Sequence, residues 1–81
     1  METSRIYDFT VIFQPAEEGG YNVIVPALPG CFTQGETLDE AQRMAEDAIR
    51  LYCHSLSVDG EKIPQEHGQF VGRIQVSALP A

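Results

Sequence analysis

The stretch Thr37–Ser57, TLDEAQRMAEDAIRLYCHSLS, decides the fold. Its opening, Thr37-Leu38-Asp39-Glu40, has capping-box spacing: the Thr37 hydroxyl can accept from the Glu40 amide while the Glu40 carboxylate reaches back to the Thr37 amide. Glu36, Asp39 and Glu40 also place negative charge where a helix dipole is positive. With about 100° between successive residues, Leu38, Ala41, Ala45, Ala48, Ile49, Tyr52 and Leu56 form one apolar stripe. Asp39, Arg43, Glu46, Asp47, Arg50 and His54 lie opposite, with Asp39–Arg43 and Glu46–Arg50 at the i,i+4 spacing of ion pairs. The helix should end near Ser57, ahead of Asp59-Gly60. One amphipathic helix needs a surface to cover, and the flanking sequence supplies a sheet.

Upstream, Arg5–Gln14 reads as a strand with Tyr7, Phe9, Val11 and Phe13 on one face and Ile6, Asp8, Thr10 and Ile12 on the other. Pro15–Gly20 carries turn chemistry, and Tyr21–Val25 returns as a second strand, giving a hairpin. Pro26-Ala27-Leu28-Pro29-Gly30 interrupts the pattern, because neither proline can donate to a ladder. A short third strand follows at Cys31–Gln34, closed by Gly35. Downstream, residues 58–69 are polar and turn-rich apart from Ile63 before Pro64. Phe70–Val76 then alternates again, with Phe70, Ile74 and Val76 against Val71, Arg73 and Gln75. The expected fold is α+β, with element order β-β-β-α-β. It is a mixed four-stranded sheet of order 3-2-1-4 with one helix packed on one face and a right-handed crossover to the last strand. Phe9, Val11, Val23, Ala45, Ile49, Tyr52 and Ile74 are expected in or near the core.

The chain has 81 residues, enough for a single domain (1–81) with a modest core. A formal charge of −7, from 12 acidic and 5 basic residues, argues against nucleic acid as a direct partner, since phosphate binding depends on clustered Lys and Arg. A basic protein is the natural charged partner instead. No apolar run approaches the roughly 20 residues of a membrane span, and Met1–Arg5 lacks the design of a signal peptide. Cytoplasmic residence is therefore expected, with Cys31 and Cys53 as reduced, buried thiols.

No catalytic, cofactor-binding or metal-binding residue is assigned. His54 falls on the polar helix face and His67 in a polar loop, neither inside a catalytic motif. The cysteines form no CxxC and have no nearby His pair. Asp8 stands mid-strand, where a metal-dependent nuclease could use an acid. One carboxylate cannot hold two metal ions, however, and the helix acids point away from the sheet.

The run Tyr21–Ala41, YNVIVPALPGCFTQGETLDEA, closely resembles the HicB-like antitoxin family. The shared pattern is an aromatic strand, a P-x-L-P-G segment, a short strand ending in Gly and a T-x-x-E-A helix opening. Gly60-Glu61-Lys62-Ile63-Pro64 looks like the G-x-x-I-P turn that follows the helix in that family, and the resemblance extends from about residue 6 to 76. It implies a partial ribonuclease-H-like fold without nuclease activity. It also implies a role as the antitoxin of a type II toxin-antitoxin system, neutralising a small, basic, RNA-cleaving HicA-type toxin by direct binding. Many members carry a C-terminal DNA-binding segment; this chain ends about five residues after the expected last strand, so no such domain is expected. The competing expectation is a stand-alone oligomeric protein with a regulatory or ligand-binding role and no toxin.

A single helix covers only one face of a sheet, yet apolar residues occur on both. Ile6, Ile12 and Ile24 fall on the face away from the helix, while Met44 and Leu51 form a ridge on the helix flank. These five are the expected protein interface. They predict self-association into a homodimer or homotetramer, with the last strand offering a free edge.

Overall fold

The computed structural model describes residues 6–79, so Arg5, at the expected start of the first strand, lies outside the described residues. The architecture is α+β: strands β1 (Ile12–Pro15), β2 (Tyr21–Ile24) and β3 (Phe32–Gly35) precede helix α1 (Leu38–Val58). The strands form an antiparallel sheet of order β1-β2-β3.

Local chemistry sets each boundary of the helix. The Thr37 hydroxyl accepts from the Glu40 amide at 3.1 Å, and Ala41 N–H donates to the Thr37 carbonyl at 2.8 Å. At the other end Gly60 adopts φ +74°, with Gly60 N–H donating to Ser57 O and Glu61 N–H to Leu56 O. This is the Schellman arrangement that a left-handed glycine permits. The helix charges settle differently from the expected pairs: Arg50 meets Asp47 at 3.5 Å, an exposed i,i+3 contact of little energetic weight.

β1 pairs with β2 through Ile12↔Ile24, Phe13↔Val23 and Gln14↔Asn22, which is shorter than the expected Arg5–Gln14 strand. Extending that register places Thr10 opposite Pro26, which has no N–H to donate, so the ladder stops. The Thr10 amide instead donates to Glu66 Oε1 and its hydroxyl to Glu66 Oε2, both at 2.7 Å. The alternation nevertheless runs on upstream. Tyr7, Phe9, Val11 and Phe13 are all half-buried, and the Tyr7 and Phe9 rings stack at 6.3 Å.

The core lies between sheet and helix in two adjoining clusters. Val23, Ala41 and Ala45 anchor one, with Val11, Phe13 and Tyr21 against them. Val25, Leu28 and Cys31 anchor the other, packed by Phe9, Ala48, Ile49 and Tyr52. Pro26–Gly30 folds inward to deliver Leu28, 1% exposed, and the Tyr52 hydroxyl locks it by donating to the Pro29 carbonyl at 2.7 Å. Helix and sheet backbones come close together at Gly35, where a Cβ would stand 2.5 Å from Ala41 N. Only glycine fits there.

The expected fourth strand is not formed within the chain. Residues 61–79 have no regular secondary structure, so the sheet has three strands rather than four. Ile74, expected in the core, is 90% exposed and Phe70 fully so. The physical reason is non-local. Glu66 is tied to Thr10, but Gly68, at φ +63°, turns the chain away before Phe70 can reach a ladder partner. The molecule is consequently long, 60 × 29 × 19 Å, with a radius of gyration of 16.0 Å against the roughly 12 Å of a compact chain this size.

Candidate protein-binding surfaces

Register decides what the uncovered sheet face presents. Val23, Phe13 and Tyr21 point to the helix, so their neighbours point outward. Ile12, Ile24 and Phe32 stand directly opposite one another across the three strands, forming an apolar row. Gln14, Asn22 and Gln34 make a parallel amide row beside it. Ile12 and Phe32 are exposed, Phe32 at 67%, and Ile24 between them is half-buried. Among the described residues nothing covers this row.

Two of the expected interface residues, Ile12 and Ile24, are thus brought together. Ile6 is 93% exposed and stands apart, upstream of the paired part of the sheet. Met44 and Leu51, both exposed and seven residues apart on α1, lie on nearly the same side of the helix and border two different hollows. Leu51 lines a hollow of about 340 Å³ with Phe32, Ala48, Tyr52 and Leu56. Met44 lines one of about 410 Å³ together with Glu18, Glu36 and Glu40. Phe32 was not among the expected interface residues. Its signal was its place one residue before Thr33 in a strand whose Gly35 ends against the helix, which fixes Phe32 outward.

A third feature follows from the way the helix lies. It packs chiefly over β3, and less over β2, leaving the β1 side open. A groove of about 500 Å³ runs there between β1 and α1, floored by Val11, Phe13, Ala45 and Ile49 and rimmed by Asp39, Gln42, Arg43 and Glu46. Val11, Ala45 and Ile49, expected in or near the core, do pack there, and together with Phe13 they also form the floor of this open trough.

The thiols are held protonated. Burial first, and then the neighbouring Cys53, raises the Cys31 pKa above its ordinary value of 9.0. Burial likewise raises that of Cys53. Both cysteines are free. Asp8, His54 and His67 are exposed and far apart in the sequence. Among the described residues, no group of three or more His, Cys, Asp or Glu side chains could hold a metal ion, and no helix is long and apolar enough to cross a membrane.

An uncovered apolar row and an open apolar trough are features of small domains that act through contacts with other macromolecules. Comparison with known proteins gives the family. Residues 9–74 match the HicB-like antitoxin of bacterial toxin-antitoxin systems, and the chain belongs to that family. It is 51% identical over 61 residues to the UPF0150 protein Ta0767 of Thermoplasma acidophilum, covering 75% of this chain and 88% of that one. A UPF0150 protein of Synechocystis is 39% identical over 76% of this chain and 78% of its own length. Antitoxin HicB 1 of Photorhabdus laumondii is 45% identical over 69% of this chain, a match that spans 36% of that longer protein.

Proposed function

We propose that the chain neutralises a small, basic, RNA-cleaving toxin of HicA type by direct protein–protein binding, without catalysis or a cofactor of its own. The observation that carries this reading is the outward row Ile12–Ile24–Phe32, solvent-exposed at its ends in a member of an antitoxin family. The charge of −7 and the Glu18, Glu36 and Glu40 carboxylates around Met44 suit a basic partner, since opposite charge speeds encounter and fixes orientation. The apolar row supplies the desolvated centre that a stable complex needs, and the acidic hollow supplies a polar rim. In this reading Ile24 and Phe32 are central contacts and Leu51 and Met44 flank them.

The test is co-expression with a short basic reading frame adjacent to this gene, scored by growth rescue and co-purification. Rescue and co-purification are the expected result, and Phe32→Asp should abolish both while the helical circular dichroism is retained. Rescue that survives Phe32→Asp and Ile24→Asp together would remove the sheet face from the reading. A neighbour that is neither toxic nor co-purified would remove the toxin.

A further inference from the structure

We propose that residues 70–76 are a strand donated to a second copy of this chain, where they line the open side of β1 and bury their apolar face in the trough beneath α1. Four observations converge on this, and none depends on toxin binding. Phe70, Gly72, Ile74 and Val76 share one side of an extended segment, so its three large apolar groups face one way. All three are at least 77% exposed in the single chain, an arrangement that soluble proteins relieve by pairing or covering. The sheet offers a matching vacancy. Among the described residues nothing pairs with β1 on the side away from β2, and the trough on that side is floored by Val11, Phe13, Ala45 and Ile49. Finally, the chain is delivered to the right place and then turned outward. Glu66 is clasped to Thr10, two residues before β1, and Gly68 at φ +63° directs residues 69–79 into solvent.

The occupant of the trough is therefore the same segment from another molecule rather than an unrelated ligand. The exchange is reciprocal, so two copies close on each other with no strand left over. Each sheet then gains its fourth strand in trans, completing the β-β-β-α-β layout across two chains. Val71, Arg73 and Gln75 fall on the opposite side of the donated strand, beside the outer face that carries both the apolar row and the amide row.

Light scattering at micromolar concentration is expected to give a mass of about twice 8.9 kDa. Ile74→Pro removes a ladder donor and should weaken self-association by roughly two orders of magnitude while leaving the helical circular dichroism intact. A sample refolded from equal amounts of ¹³C-labelled and unlabelled wild-type chain then distinguishes the possible arrangements. Exchange gives isotope-filtered contacts between Ile74 or Val76 methyls of one chain and Val11 or Ile49 methyls of the other. Contacts confined to one chain would show that the strand closes on its own sheet and would overturn the proposal. An absence of contacts from residues 70–76 in a dimer, or a dimer unaffected by Ile74→Pro, would overturn it equally.

Discussion

Tyr21–Ile24 and Phe70–Val76 carry the same kind of alternation, aromatic and β-branched residues two apart, and come to opposite ends. The first lies in the middle of the sheet with Val23 buried between Phe13 and Thr33. The second stands in solvent without regular structure. Neither composition nor local propensity separates them, since a strand is stabilised by cross-strand neighbours and burial rather than by its own backbone preference. What separates them is delivery. A five-residue turn, with Gly19 and Gly20 both at positive φ, returns Tyr21 directly onto β1. The last segment must instead travel back past the full length of α1, and it is turned outward at Gly68.

The contrast can be broken most severely from the folded side. Leu28→Ala empties a site that is 1% exposed and should cost about 3 kcal/mol by urea denaturation, at every protein concentration. Gly35→Ala sets a methyl against Ala41 backbone atoms that cannot yield, and a loss of about 2 kcal/mol is expected by the same measurement. Thr37→Ala removes the cap on Glu40 N–H and should cost about 1 kcal/mol. On the tail side the expectation inverts. Phe70→Ser should change the stability of the dilute, single chain by less than about 0.5 kcal/mol, yet abolish any dependence of the melting temperature on protein concentration. A large loss in dilute solution would place Phe70 inside its own chain's core.

The smallest effect concerns alkaline pH. The folded pKa of Cys31 lies above its unfolded value, so the folded state resists losing that proton. The contribution is whole below the ordinary value of 9.0 and is lost as pH rises through the folded pKa. Urea midpoints should therefore fall on the alkaline side, and Cys31→Ala should remove that part of the decline.

How much of this was legible from the residues follows from the range of the interactions concerned. The helix was readable almost to the residue because its ends are written locally, in Thr37, Glu40 and Gly60. The order of the first three elements was readable because short turns leave few choices. The outward placement of Ile12 and Ile24 followed from alternation alone. Phe32 did not, because its face depends on the β2–β3 register, and that register is fixed by the inward fold of Leu28 and the tight seat of Gly35. The truncation of β1 was written in Pro26, but only pairing made Pro26 the residue opposite Thr10. The fourth strand shows the limit most clearly. Its alternation is present, but alternation alone supplies no ladder partner, and among the described residues none is formed.

The Glu66–Thr10 clasp has a mechanical consequence. It holds the chain at residue 66, and the exposed segment beyond Gly68 projects from that point as an arm. Val76 lies eight residues further on, a distance of roughly 26 Å in extended geometry. A rotation of about 30° at Gly68 would sweep the end of such an arm through roughly 13 Å, more than two strand spacings. A glycine with open space around its missing side chain meets little resistance to such a turn. The direction in which the arm leaves the clasp is thus set in large part by the two torsion angles of a residue that has no side chain.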